Sequence, residues 1–276
     1  MIIKLAYSPC PNDTFAFHAM VHHLVDTEGI EFSVELADVE LLNQRAMSGL
    51  YDMCKLSYHA YFHMCDKYVM LNSGSALGYD NGPLLVAVAG SGDLTSESKI
   101  AIPGRMTTAA LLLSIACPNL KNTEPVMFSR IASMVLSGDF DAGVLIHEGR
   151  FTYEKEGLRL ICDLGNYWHG ISGTAVPLGG IAVSRSVPKE IQKKVDRILK
   201  KSIEFAFMHP DISDEYVTLN AQIADKEIQK KHINLYVNKF SLDIGEEGKR
   251  AVYSLYSSAL ISNKEIISVE QKELFI

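Results

Sequence analysis

The sequence predicts an α/β protein built as two lobes around a ligand cleft. Three observations carry this reading. Apolar, β-prone segments alternate with helical ones from the N-terminus onward, the pattern of a sheet covered by helices. The alternation breaks near residue 73 at a Gly/Ser-rich stretch and then starts again. Two continuous apolar runs, 84–89 and 180–184, bracket the second series and read as passages between lobes. A chain of 276 residues is long enough for one large domain or two modest ones.

Residues 2–7 form the first predicted strand. The run Ser8-Pro9-Cys10-Pro11-Asn12-Asp13 ends it, and Asn12 or Asp13 is suited to cap a helix starting near Thr14. Residues 30–36 alternate as a strand, and Asp38 opens a helix that stops at Gly49. A short buried strand at 53–56, a helix over 57–67 and a strand at 68–71 follow. This βαβαβαβ series predicts a mainly parallel sheet. Residues 73–83 have loop chemistry, and 84–89 make the first passage. The second series has strands at 99–102, 125–128, 142–146 and 158–162 and helices at 107–116 and 129–136. A loop over 165–173 leads to the second passage. After Pro188 the chain reads as helical, with Ile191, Val195, Ile198, Leu199 and Ile203 on one face, then 213–231 and 246–262. The predicted large lobe is 1–89 with 178–276, and the small lobe is 90–177.

Composition narrows the function classes. Hydrophobic residues make up 47% and charged residues 21%, enough apolar material to bury a substantial core. The net charge is −7 with no extended Lys/Arg block, which disfavours nucleic acid or an anionic membrane as partner. No apolar stretch approaches the roughly 20 residues of a membrane span. The N-terminus has one early basic residue and reads as a strand, not a secretion signal. Five scattered cysteines without a Cys-x-x-Cys pair suit free thiols in a reducing cytoplasm.

In open α/β sheets, ligands sit beyond the carboxyl ends of the strands, near helix N-termini. That rule nominates Ser8, Asn12 and Asp13, then Lys55 and Ser57, then 103–108 with Thr107 and Thr108, then His147 and Glu148. Each also has a plain structural reading: a rigid turn at 8–13, a snorkelling Lys55, an N-cap at Thr107-Thr108. His147 leaves a predicted buried strand and is suited to acid/base work near neutrality. The pair His59/His63 and the set His18, His22 and His23 lack a third ligand of suitable geometry, so no metal is expected. The absence of a Walker loop, a Gly-x-Gly-x-x-Gly turn or a Gly-x-Ser-x-Gly elbow argues against nucleotide cofactors and a serine nucleophile. Tyr153, Tyr167 and Trp168 are placed either to stack on a flat ligand or to pack between lobes.

Ser8-Pro9-Cys10-Pro11-Asn12-Asp13-Thr14-Phe15, Asp38-Val39-Glu40-Leu41-Leu42-Asn43, Lys55-Leu56-Ser57-Tyr58 and Gly74-Ser75-Ala76-Leu77-Gly78 form an ordered set. Pro103-Gly104-Arg105-Met106-Thr107-Thr108-Ala109, Ile146-His147-Glu148-Gly149-Arg150-Phe151-Thr152-Tyr153 and Leu178-Gly179-Gly180-Ile181 continue it. In these blocks, spanning about residues 3–185, the chain resembles the 1,4-dihydroxy-6-naphthoate synthases of the futalosine route to menaquinone. The resemblance implies a fold like a type II periplasmic binding protein. It implies cleavage of cyclic dehypoxanthine futalosine, a carboxylated cyclic small molecule, by a carbon–carbon lyase. It implies His147 as proton acceptor, with Lys55, Leu56, Ser57, Thr107 and Thr108 on the substrate. Aromatisation of the product supplies driving force, so no cofactor is expected. The alternatives are the chorismate-using dehydratase of the same route and a non-catalytic cytoplasmic ligand-binding protein.

Overall fold

A computed structural model describes all 276 residues. The first sheet takes β1 (Ile2–Tyr7), β2 (Glu31–Leu36), β3 (Met53–Ser57), β4 (Tyr68–Met70) and β5 (Ala76–Gly78). The second takes β6 (Leu84–Val88), β7 (Ile100–Ile102), β8 (Thr123–Pro125), β9 (Ala142–Leu145) and β10 (Leu158–Asp163). β11 (Val176–Ser184) returns to the first. The orders are β2-β1-β3-β11-β4, with β5 beside β11, and β10-β6-β9-β7-β8. The helices are α1 (Pro11–Val21), α2 (Val39–Met47), α3 (Tyr58–Phe62), α4 (Thr108–Ala116), α5 (Ile131–Leu136) and α6 (Leu164–Ser172). The C-terminal set is α7 (Lys189–Met208), α8 (Asp214–Asn220), α9 (Lys226–Tyr236), α10 (Lys239–Leu242) and α11 (Gly245–Ser262).

The expected parallel sheet is interrupted by one reversed strand in each lobe. β11 runs antiparallel to β3, β4 and β5, and β6 runs antiparallel to β9 and β10. The remaining strands of each sheet share one direction. The reason is the route of the chain. It enters each sheet from the cleft, where the other strands end, so the first strand after each passage must run back. The passages are therefore the short connections 79–83 and 173–175. The apolar runs 84–89 and 180–184 fall instead in β6 and β11, each a central strand of a single sheet. They are continuously apolar because central strands bury both faces. Residues 84–88, expected in the large lobe, thus belong to the second sheet, while Val176 and Pro177 belong to the first.

Alternation along the strands divides the core. Ile3, Leu5 and Tyr7 of β1 pack with Phe17 of α1 and Val195, Ile198 and Ile203 of α7, while Ala6 faces the opposite side with Leu56 and Tyr58. In β6, Leu84 and Val86 join Ile131, Val135 and Phe140, while Leu85 and Ala87 join Leu111, Leu112 and Leu113 of α4. Each fully buried Leu, Ile or Val contributes about 1.5–3 kcal/mol of transfer free energy.

Several local expectations change. α1 begins at Pro11 with Cys10 as N-cap and no side-chain capping bond, so Asn12 and Asp13 lie within its first turn. Proline suits that first position because its missing N–H would have no helical partner there. The segment 165–173 is not a loop but α6, capped by the Asp163 carboxylate on the amides of Gly165 and Asn166 and closed by Gly173 at φ 66°. The helix expected over 213–231 divides into α8 and α9, the latter capped by Asp225. By contrast, Asp38 caps α2 and Thr107 caps α4 as their sequences predict. No helix is long and apolar enough to cross a membrane.

Candidate active site

The carboxyl ends of β1, β3 and β9 and the N-terminus of α4 converge on one cleft of about 670 Å³. Nine of the nominated residues line it, Ser8, Asn12, Asp13, Lys55, Leu56, Ser57, Thr107, Thr108 and His147, while Glu148 does not. Val39, Asn81, Pro83, Leu178, Gly179 and Tyr236 are among the other residues that line it.

Asp13 organises the floor. Its Oδ2 accepts from Ser8 Oγ at 2.7 Å and Ser8 N at 3.3 Å, and its Oδ1 accepts from Asn12 Nδ2 at 2.8 Å. Lys55 Nζ donates to the same Oδ1 at 2.9 Å. The lysine thus does not snorkel to solvent. It is a buried cation held by a buried carboxylate, with side-chain exposures of 10% and 4%. Ser57 is fixed by Asn43, which accepts from the Ser57 amide at 3.0 Å and donates to its Oγ at 3.2 Å. The Ser57 hydroxyl keeps its own proton to donate.

The hydroxyls of the two threonines are engaged within the protein. Thr107 Oγ1 donates to Gly104 O at 2.7 Å and accepts from Ala110 N at 3.2 Å. Thr108 Oγ1 donates to Leu178 O at 2.7 Å and accepts from His59 N at 3.3 Å. Both hydroxyls are thus committed to structure. What α4 offers the cleft is the amides of Thr108 and Ala109, which a first helical turn leaves without carbonyl partners.

His147 ends β9's approach to the cleft with φ 55°, a left-handed conformation that histidine adopts more readily than most residues. Its ring centroid lies 4.8 Å from Phe128, and it stacks at 5.6 Å and 9° on His232. Burial pushes its pKa below the ordinary histidine value; Glu148 and Asp13 oppose that shift, and Lys55 adds to it. The free imidazole is therefore neutral near pH 7, with a lone pair to accept a proton. The chain leaves strand geometry at Leu145 and enters a 3₁₀ turn, His147–Phe151. Strand alternation therefore does not govern Glu148, which is buried with Oε1 3.6 Å from His232 Nδ1.

His59 and His63 approach at 3.4 Å between Nε2 atoms, and His59 Nδ1 lies 3.2 Å from Thr107 O. Burial, then His63, pushes His59 down to about 4. No group of three His, Cys, Asp or Glu side chains is placed to hold a metal ion. Of the three aromatic residues, Trp168 is buried and donates to Ala175 O, Tyr153 is partly buried against the second lobe's core, Tyr167 is exposed, and none lines the cleft. Sequence reasoning missed Asn43, Tyr236 and His232. The last two sit one helical turn apart on α9, a spacing with no signal beyond a shared helix face.

A family profile described as menaquinone biosynthesis matches residues 3–260. A 1,4-dihydroxy-6-naphthoate synthase of Thermus thermophilus is 42% identical over 257 residues, 93% of each chain. One from Streptomyces coelicolor is 36% identical over 93% of this chain and 92% of its own. Among solved structures, a protein from Archaeoglobus fulgidus superposes with TM-score 0.87 at 36% identity, covering 95% of this chain and 97% of its own. A Candida albicans protein, described as having the generic periplasmic binding protein fold, superposes with TM-score 0.72 at 13% identity, covering 96% and 93%. The architecture is thus the two-lobed periplasmic-binding-protein fold, and the chain belongs to the menaquinone biosynthesis family of enzymes.

Proposed function

We propose that this chain is a 1,4-dihydroxy-6-naphthoate synthase acting in the cytoplasm, a carbon–carbon lyase that converts cyclic dehypoxanthine futalosine without a cofactor. The observation that supports it most is the placement of a neutral imidazole, His147, on the same cleft as a buried ammonium and the N-terminal amides of α4. Releasing a sugar-derived fragment and aromatising the remaining ring requires removal of a proton and flow of electrons toward an oxygen. His147 takes the proton. Lys55, the Ser57 hydroxyl and the amides of Thr108 and Ala109 hold a carboxylate or a developing oxyanion. Val39, Leu56 and Pro83 give the apolar walls that a flat ring requires. Five free cysteines suit a reducing compartment.

The test is incubation with cyclic dehypoxanthine futalosine, following product by absorbance and mass. His147→Asn is expected to fold and bind but to lose about 10²–10⁴ in turnover. Turnover of the substrate with kcat unchanged in His147→Asn overturns the base assignment. Turnover of chorismate instead makes the chain the neighbouring dehydratase, and binding without turnover makes it a ligand-binding protein.

A further inference from the structure

Behind His147 lies a chain of polar groups whose proton positions follow from one another. Asp13 Oδ1 accepts from Lys55 Nζ, so the Asn12 atom 2.8 Å away is its amide nitrogen. Asn12 Oδ1 therefore faces His232 Nε2, at 2.9 Å, and can only accept. Nε2 must carry a hydrogen. In a neutral imidazole that leaves Nδ1 as a bare lone pair, and Nδ1 has no hydrogen-bond partner. Glu148 Oε1 lies 3.6 Å from it, and the side chains are 0% and 5% exposed. An ionised carboxylate facing a lone pair between two buried side chains is strongly unfavourable.

We propose that Glu148 and His232 together hold one buried proton, bridged between Oε1 and Nδ1, and that this neutral pair keeps the stacked His147 in its proton-accepting form. Whether the proton sits on oxygen or nitrogen, the pair's net charge is zero. Without it, a bare carboxylate beside His147 would raise the affinity of that ring for protons, against the lowering that burial gives it. Burial already lowers the basicity of both rings. The other charged or titratable groups around the pair are Cys10 and Asp13 below it, Lys55 of β3, Arg150 of the 3₁₀ turn and Tyr236 of α9. Glu148 and His232 are positioning residues that act through His147. The catalytic consequence rests on the proposed function, but the proton count does not.

The test is nuclear magnetic resonance of the substrate-free protein, with ¹⁵N-labelled histidine and ¹³C-labelled glutamate carboxyls, in wild type and Glu148→Gln. At pH 7 the wild type is expected to show His232 protonated at Nε2 and one proton shared between Nδ1 and Glu148. In Glu148→Gln the amide donates to Nδ1 in place of that proton, so the titration midpoint of His147 stays where it is. An ionised Glu148 beside a bare Nδ1 overturns the proposal. So does a His147 midpoint that falls by about one pH unit or more in the variant, the loss expected on removing a full negative charge. Should the variant fail to fold, the wild-type spectra decide alone. Expected spectra in a protein that turns over no futalosine derivative would sink the proposed function and leave the shared proton standing.

Discussion

The Asp13–Lys55 pair is the most exposed to test of the site's energetics, because two substitutions separate pairing from burial. Asp13→Ala strands an ammonium whose side chain is 10% exposed and whose one close partner is 2.9 Å away. It also removes the acceptor for Ser8 and Asn12. Breaking a buried pair from one side costs about 3–5 kcal/mol, a large share of the roughly 5–15 kcal/mol that keeps a domain folded. Lys55→Met is expected to cost less, about 1–3 kcal/mol, because Asp13 still accepts from Ser8 and Asn12. In the double variant neither charge is stranded. Its loss is expected to fall short of the sum of the single losses by about 1–3 kcal/mol. The assay is urea unfolding followed by fluorescence of the single tryptophan, buried Trp168, and by circular dichroism. Coincident transitions license the free energies. Strict additivity, or an Asp13→Ala loss below about 1 kcal/mol, would refute the reasoning.

Further predictions concern the backbone, pH and metal. Gly179→Ala places a Cβ 2.6 Å from the Leu56 carbonyl oxygen, so β11 and β3 must part beneath Lys55 and Ser57. A loss of about 1–3 kcal/mol in urea unfolding and a raised KM are expected, and an unchanged KM would count against the role of that strand pair. His18, His59, His63 and His147 all have pKa values lowered by burial, so the unfolded chain binds protons that the folded protein does not. Stability should therefore fall as pH drops below about 6.5, with His59 alone worth about 3 kcal/mol by pH 4; a Tm that rises on acidification contradicts this. Turnover is expected to survive exhaustive chelation, and its loss and recovery with one divalent metal would promote His59 and His63 to ligands.

What was legible in the sequence was local or directional. Asp38 and Thr107 announce their helices because a capping side chain bonds to amides two or three residues away. The rule that ligands gather at strand ends collected eight of the nine nominated cleft residues, all but Leu56, together with Glu148, which lies off the cleft, since it depends only on the direction of the strands feeding the cleft. The reversal of β6 and β11 was hidden because a strand buried on both faces looks the same read in either direction. The helix over 164–172 was hidden because Gly165, Gly170 and Gly173 carry loop chemistry, while its decisive signal is the single carboxylate of Asp163. His232 reaches the site on α9, in the C-terminal helices far from His147 in sequence, and no local spacing announces such a partner.

The backbone at His147 ties these levels together. Three residues other than glycine have positive φ: His23, Glu28 and His147. The first two flank the turn between α1 and β2, outside the cleft. His147 alone lines the cleft, one residue after Ile146 in extended conformation. Such a conformation costs on the order of 1–3 kcal/mol and persists only where its surroundings enforce it. Here Phe128 and His232 hold the ring on two sides, and Glu148 is buried beside His232. A continued strand would place Ile146 and His147 on opposite faces of the sheet. The left-handed turn instead brings both to the cleft. The strain is thus concentrated at the side chain proposed as the base, a role that a fixed and neutral imidazole suits.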